Sequence, residues 1–127
     1  MSSQSVLPVG ATPDLSPEWM WTWNGTSFGY RLGGSLFTYD GVEVGRFSGP
    51  EVYGVDGRYL GEVLKADDGG RLITNSYKKL RTQSEFAPTF GRAYKRPEDR
   101  TGEQMYCGHE DFPLPQTVRR MVVGGSS

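Results

Sequence analysis

Apolar and polar residues alternate in three short stretches of the chain, and each stretch contains one turn-forming dipeptide. The stretches begin at Trp21, Phe37 and Tyr53, and their dipeptides are Asn24-Gly25, Asp40-Gly41 and Asp56-Gly57. Alternation is typical of β-strands, and Asn-Gly or Asp-Gly between extended runs is the strongest short hairpin signal. The pattern predicts three β-hairpins with two-residue type I′ turns, in which both central residues have positive φ.

The hairpins form a repeat, because Asn24, Asp40 and Asp56 are each 16 residues apart. The same offset superposes three further glycines, for which we expect chain bends or close backbone approach: Gly29, Gly45 and Gly61.

Two-residue turns also predict which side chains share a face of each hairpin. Phe37 and Val44 would lie together on an apolar face that packs into the core, with Tyr39 and Val42. The opposite face would be polar and directed to solvent, and it would carry Thr22, Ser27, Thr38 and Glu43.

A fourth hairpin is expected, because isolated hairpins are unstable in water and three copies leave an open side. The best candidate lies between Arg71 and Arg81, with Asn75-Ser76 as its turn. The hairpins would then form a β domain over residues 18–81, preceded by a flexible leader at residues 1–17.

Residues 82–127 lack a clear period and are interpreted as an irregular C-terminal arm and tail, with a weak helical pattern near residues 116–123. We predict that residues 82–112 contact the hairpins, because burying each aromatic side chain contributes about 1.5–3 kcal/mol. The aromatic residues concerned are Phe86, Phe90, Tyr94 and Phe112.

Composition supports short strands and limits the function classes. Only 35% of the residues are hydrophobic, whereas 13% are aromatic and 18 residues are glycine. A net charge of −1 gives no global electrostatic case for binding nucleic acid or an anionic membrane. A secretory signal pattern and a membrane-length apolar stretch are both lacking, so a cytoplasmic protein without a membrane partner is expected.

Charge is nevertheless unevenly distributed along the chain. Residues 13–73 carry five basic and nine acidic side chains, whereas residues 77–100 carry seven basic and three acidic ones. The basic segment suits wrapping around the acidic part, which we favour, and it also suits single-stranded nucleic acid, because its cations alternate with aromatic residues. Its candidate contact residues are Lys78, Lys79, Arg92, Lys95 and Arg96.

Three tryptophans alternate near the start of the repeat: Trp19, Trp21 and Trp23. They could form an exposed aromatic surface for a flat ligand, but filling the core of a domain poor in aliphatic residues is the favoured interpretation.

Candidate catalytic and metal-binding residues are few. Cys107 and His109 could ligate zinc or act as a nucleophile and its base, but a single Cys-x-His supplies too few ligands. Asp40 and Asp56 are interpreted as turn residues, because the uncharged Asn24 occupies the same repeat position. The sequence therefore predicts no catalytic residue, no metal and no cofactor.

The repeat resembles the four-fold β-flower proteins, a small bacterial family in which four hairpins surround a pseudo-four-fold axis. The residues that carry the resemblance run from Tyr39-Asp40-Gly41 to Val44-Gly45 and from Val55-Asp56-Gly57 to Leu60-Gly61. The stretch from Asp56 to Val63, followed by residues 67–73, is also similar to a PRC-barrel-like domain.

The β-flower resemblance implies an all-β fold and no established activity. We expect a non-enzymatic binding or structural module that acts through protein–protein contacts. Nucleic-acid binding through residues 77–100 and a small Cys/His-dependent enzyme are the alternatives.

Overall fold

Eight short strands and three helical segments make up the regular structure of the described residues. The computed structural model describes residues 17–66 and 69–124, so the predicted leader lies outside the described residues except for Pro17. The strands are β1 (Glu18–Thr22), β2 (Ser27–Leu32), β3 (Ser35–Thr38), β4 (Glu43–Ser48), β5 (Glu51–Gly54), β6 (Tyr59–Ala66), β7 (Gly69–Asn75) and β8 (His109–Asp111). The helical segments are a 3-10 helix (Ser76–Lys78), α1 (Pro115–Arg119) and a π-helical turn (Arg120–Gly124).

Strands β1 to β7 close into a barrel. Each strand pairs antiparallel with the next one along the chain, and β7 pairs parallel with β1 from Met20↔Gly70 to Thr22↔Leu72. Strand β8 pairs with the other end of β7, where Ile73 lies opposite Asp111. The all-β prediction is confirmed as a closed seven-stranded barrel, whereas the β-flower assignment stays a prediction.

The chain reverses at the three predicted dipeptides, but the prediction of two-residue type I′ turns is wrong. In the first hairpin, the Gly25 N–H donates to the Thr22 carbonyl oxygen, and the Thr22 N–H donates to the Thr26 carbonyl oxygen. Gly25 has φ +96°, and no described residue other than glycine has positive φ. Each loop therefore has three residues, with glycine alone in the left-handed region.

These three-residue loops are followed by bulges that reverse the predicted faces. Phe37 pairs with Glu43, not with Val44, because Val44 is the extra residue of the bulge between β3 and β4. Phe28 and Leu60 occupy the same position in the other two hairpins. A one-residue shift sends side chains to the opposite face of a sheet, so Phe37 and Val44 no longer share a face.

The core of the barrel is consequently aliphatic more than aromatic. It contains the three bulge residues and one side chain from each of β1, β3, β5 and β7, together with three residues outside the barrel strands. Its members are Met20, Phe28, Leu36, Val42, Val44, Val52, Leu60, Leu72, Phe112 and Val118.

The fourth predicted hairpin does not form. The side-chain oxygen of Asn75 accepts a hydrogen bond from the Tyr77 N–H at 2.9 Å and caps the 3-10 helix, so no strand follows the predicted turn. Strand β7 instead closes the barrel by pairing with β1. The predicted repeat domain therefore ends in a helical turn, not in a second hairpin strand.

Residues 82–108, called the arm from here on, lie across the tips of the three hairpins. At the third hairpin, Gln83 N–H donates to the Gly57 carbonyl oxygen at 2.7 Å, and Phe86 N–H donates to the Val55 carbonyl oxygen at 3.1 Å. The same pair of bonds recurs at the second and first hairpins, each from an arm N–H to a hairpin carbonyl oxygen: Gly91 to Gly41, Tyr94 to Tyr39, Arg100 to Gly25 and Glu103 to Trp23. The prediction that the arm contacts the hairpins is confirmed.

The arm also explains why the predicted polar face is not exposed. Thr22, Ser27, Thr38 and Glu43 are all buried, although the sequence predicted that they face solvent. Arm side chains contact two of them, since Thr89 donates to Glu43 and Arg96 donates to Ser27. The arm therefore covers the outer face of the hairpins near their tips.

Burial of aromatic side chains explains less of the docking than the sequence suggested. Phe112 is fully buried in the core, Phe86 and Tyr94 are half-buried, and Phe90 is 69% exposed. Backbone hydrogen bonds therefore hold much of the arm. The weak helical pattern near residues 116–123 corresponds to α1 and the π-helical turn.

The first prediction compares two glycines with positive φ. Gly41→Ala and Gly33→Ala should each lower the free energy of unfolding by about 1–2 kcal/mol, because an L side chain is strained there. At Gly41 an added Cβ would also lie 2.5 Å from the Gly91 carbonyl oxygen, whereas Gly33 has open space. Urea unfolding should therefore show about 1 kcal/mol more loss at Gly41. Equal losses would contradict docking of the arm on this turn.

The second prediction compares the loss of stability on removing a buried aromatic ring, Phe112, with that on removing an exposed one, Phe90. Phe112→Ala should cost about 3–5 kcal/mol of unfolding free energy, because it removes a ring that contacts Phe28 in the core. Phe90→Ala should change it by less than about 0.5 kcal/mol. Chemical denaturation monitored by tryptophan fluorescence measures both values. Similar values for the two variants would contradict the position of Phe112 in the core.

Candidate functional site

An apolar groove opens at the end of the barrel, between the third hairpin, the arm and the C-terminal helical residues. Its volume is about 610 Å³, within the range typical of ligand-binding sites. The barrel contributes Val44 and Leu60, whose neighbouring side chains fill the core, and the C-terminal helical segments contribute Val118 and Met121. The complete lining is Val44, Gly54, Val55, Asp56, Leu60, Glu85, Phe86, Ala87, Val118, Met121 and Val122.

The groove lies where the third hairpin has smaller residues than the other two. Gly54 and Val55 line it, whereas the matching repeat positions hold Thr22 and Trp23 in the first hairpin. The second hairpin holds threonine and tyrosine at these positions. The third hairpin thus lacks a hydroxyl-bearing side chain and an aromatic ring that its counterparts have.

Two carboxylates lie among the apolar lining. Asp56 accepts a hydrogen bond from the Arg58 N–H at 3.1 Å, and its side chain lies 3.7 Å from the exposed Arg58 guanidinium. Among the described residues, no group forms a hydrogen bond or ion pair with the Glu85 carboxylate. The groove therefore combines apolar surface with one carboxylate that is free to pair with a cation.

The three tryptophans neither form an open aromatic surface nor fill the barrel core, which was the favoured interpretation. Trp21 and Trp23 are buried, but they are not part of the barrel core. Their indole N–H groups donate to carbonyl oxygens of the arm, Glu98 for Trp21 and Gln104 for Trp23, each at 2.9 Å. Trp19 is half-buried and packs edge-on against Tyr94. The tryptophans thus serve mainly as docking points for the arm.

The candidate basic contact residues lie in two separate places. Lys78 and Lys79 belong to the 3-10 helix and the turn after it, whereas Arg92, Lys95 and Arg96 belong to the arm. Of the arm residues, Arg96 bonds to Ser27 and Asp99, and Arg92 lies over the Tyr94 ring. No described residue pairs with the Lys95 ammonium.

Trp19, Trp21, Lys95 and Arg96 do line one cleft of about 640 Å³, together with Arg100. The Arg100 guanidinium lies 3.7 Å from the centre of a Trp21 ring and covers it. The cleft therefore offers fewer free aromatic faces and cations than the sequence suggested, and its nucleic-acid contacts stay a prediction.

Cys107 and His109 lie at the surface before and within β8. The His109 ring nitrogen Nδ1 is 3.1 Å from the Cys107 carbonyl oxygen, so this contact involves the backbone and not the thiol. Across residues 17–66 and 69–124, no three side chains of His, Cys, Asp or Glu come close enough to hold a metal ion. Neither residue lines the groove.

The turn residues Asn24, Asp40 and Asp56 have structural contacts. Asp40 accepts a hydrogen bond from the Thr38 hydroxyl and pairs with Arg119 of α1 at 2.6 Å. The Asn24 backbone N–H donates to the Asp111 carboxylate. At Gly29 and Gly61 an added Cβ would overlap the carbonyl oxygen of a neighbouring strand, and at Gly45 it would lie 2.7 Å from the Val52 side chain.

A polar cluster fixes the 3-10 helix against β5 and β6. The Lys78 ammonium lies 2.9 Å from Glu51 and 2.8 Å from Glu62, and these bonds raise its pKa. Hydrogen bonds from Tyr53 and Lys78 lower the pKa of Glu51, and the bond from Tyr53 has the larger effect. Burial raises the pKa of Tyr59, whose hydroxyl donates to Glu62. Lys78 is therefore a structural cation and not a general base.

Glu43 is a fully buried carboxylate beneath the arm. Burial alone would raise its pKa, but hydrogen bonds from Arg46, Ser35 and Thr89 outweigh that effect and hold the pKa below its usual value. Both the N–H and the hydroxyl of Thr89 donate to it, at 2.8 and 2.9 Å. Glu43 thus ties the arm to β4 as an ionised group.

Sequence reasoning missed the groove, although one signal for it was present. Residues of the lining come from the second and third hairpins, the arm and the C-terminal helical segments, so no local motif marks them. The loss of an aromatic residue at Val55, within an otherwise regular repeat, could have indicated a gap at this position.

Comparison with protein-family models, curated proteins and solved structures finds no match. Function must therefore be inferred from the residues of this chain. Within the part of the chain that the structure describes, no helix combines the length and apolar character needed to cross a membrane.

The third prediction concerns Glu43. Because its pKa is lower in the folded state, its contribution to stability is complete above the pKa of an unperturbed glutamate, about 4.3, and is lost as the pH falls from there through the folded-state pKa. Glu43→Gln should therefore lower the unfolding free energy at neutral pH by about 1–3 kcal/mol and by less in acid.

Urea unfolding between about pH 3 and pH 7 measures this difference across the relevant titration range. Glu98→Gln, at an exposed position, is the control and should show little difference at any pH. A Glu43→Gln effect that stays constant over this range would contradict the role of the ionised carboxylate.

Proposed function

We propose that the protein is a non-enzymatic binding module that acts through protein–protein contacts, with the apolar groove as its docking site. The observation that carries the proposal is the groove itself, a space of about 610 Å³ that is lined mainly by aliphatic side chains and Phe86 and that contains one carboxylate, of Glu85, without a partner among the described residues. Concave apolar sites with a few polar groups are the usual form of binding sites in proteins.

The composition of the lining favours binding over reaction. Its titratable side chains are Asp56 and Glu85, and the other lining residues are apolar or glycine. Cys107 and His109 lie elsewhere, which weakens the case for a Cys/His-dependent enzyme at this site.

The groove also has the chemistry of a particular kind of occupant. An apolar side chain fits its walls, and a neighbouring basic group can pair with Glu85 at the side. A protein segment with leucine or an aromatic residue beside lysine or arginine supplies both features. Nucleic acid fits less well, because a groove with carboxylates repels phosphate.

Membership of the bacterial β-flower proteins and a cytoplasmic location are parts of the same proposal. The three hairpins of the repeat support the first, although the fourth hairpin of that family does not form here. The second depends on the sequence alone.

The fourth prediction tests the groove by photo-crosslinking in cells. A photoreactive benzoylphenylalanine in place of Met121, which lines the groove and is 56% exposed, should form a discrete adduct with a protein segment. The same group in place of Phe90, which is exposed outside the groove, is the matched control and should not form that adduct.

Adding Ala87→Arg to the Met121 version should abolish the adduct, because a long cationic side chain would occupy the groove. Absence of any adduct at Met121, or the same adduct at both positions, would overturn the proposed docking site. Mass spectrometry of the adduct identifies the residue that was bound.

A further inference from the structure

A second surface of the molecule projects two apolar side chains into solvent. Tyr77, in the 3-10 helix, is 87% exposed, and Leu80, in the turn that follows, is 96% exposed. Lys79 and Arg81 flank Leu80 in the sequence. These four residues are called the knob from here on. Among residues 17–66 and 69–124, none covers the apolar surface of Leu80.

The backbone that carries the knob is held firmly. Asn75 caps the 3-10 helix, the Lys78 ammonium is anchored between two carboxylates, and the Arg81 N–H donates to the Lys78 carbonyl oxygen at 3.0 Å. An apolar side chain on a fixed backbone loses less conformational entropy on binding than one on a mobile loop, which makes it a better anchor for an interface.

The knob and the groove are complementary in chemistry. Leu80 matches the aliphatic walls, and its basic neighbours match the carboxylate of Glu85. Arg81 uses one nitrogen, Nη1, to bind Glu51, so most of its five N–H donors remain. Lys79 pairs with Glu110 at the surface and is half exposed, so its ammonium remains accessible. The knob therefore has the features expected of an occupant of the groove.

We propose that the groove of one copy binds the knob of a second copy of this chain, with Leu80 inserted between Leu60, Phe86 and Met121. The inference rests on the proposed function of the groove and names its occupant. Because the knob and the groove are different surfaces, the contact is heterologous, and repeated contacts form a ring or an open head-to-tail chain.

The fifth prediction is that the full-length protein self-associates through these two surfaces. Sedimentation velocity over a concentration series should show the average mass of the wild type rising above that of a monomer. Leu80→Glu and Met121→Arg should each remain monomeric, since one removes the apolar anchor and the other places a cation in the groove. Phe90→Glu, at another exposed apolar position, is the control and should associate like the wild type.

A mixing experiment distinguishes this contact from other modes of association. The Leu80→Glu variant keeps its groove and the Met121→Arg variant keeps its knob, so an equimolar mixture should form a dimer that does not grow further. Glu85→Gln should weaken association about two- to fivefold, because a single partly exposed ion pair contributes little. Thermal unfolding of each variant checks that it is folded.

A monomeric wild type at all concentrations, or a mixture that stays monomeric, would overturn the inference. So would association that neither single variant reduces. A monomeric wild type together with a groove adduct to a different protein would leave the proposed function standing and would exclude only the second copy as occupant.

Discussion

The carbonyl groups at the tips of the three hairpins impose the constraint on which the structure depends. In each three-residue loop, the glycine carbonyl and the carbonyl two residues before it form no ladder bond within the hairpin. The arm supplies a donor to each of these six oxygens, in reverse order from the third hairpin to the first. Unpaired carbonyls at a covered surface would cost free energy, so the hairpins and the arm are interdependent parts of one fold.

This interdependence explains several features that look unrelated along the chain. The bulge after each loop turns Trp21, Phe37 and Tyr53 away from the core, and the arm then covers the face on which they lie. Glu43 can be buried as an ion because the arm brings Thr89 to it. The arm also forms one wall of the groove, so the candidate site exists only when the arm is docked.

The sequence predicted the strand class, the places where the chain reverses and the contact between arm and hairpins. It did not predict the faces, because Asn-Gly and Asp-Gly suit both a two-residue loop and a three-residue loop. The three-residue loop requires positive φ only at Gly25, Gly41 and Gly57, whereas type I′ turns would also strain Asn24 and its two counterparts. The choice between the two loops decides which of the alternating side chains of each strand face the core.

Barrel closure and the groove were beyond prediction for a different reason. The parallel pairing of β1 with β7 joins segments about 50 residues apart and leaves no local pattern. Asn75-Ser76 gave a local signal for a hairpin, but Asn75 caps a 3-10 helix instead. The groove likewise requires the C-terminal helical residues to meet the third hairpin, although Val118 gave no sign of its position in the core.

The groove follows from a departure of the third hairpin from the repeat. A strictly repeated unit would place an aromatic residue at position 55 and a threonine at position 54, and both would add atoms where the groove now lies. The valine and glycine found there keep the loop and its two bonds to the arm intact, since those bonds use only the backbone. The chain can therefore open a groove at one hairpin without weakening the hydrogen bonds that hold the arm.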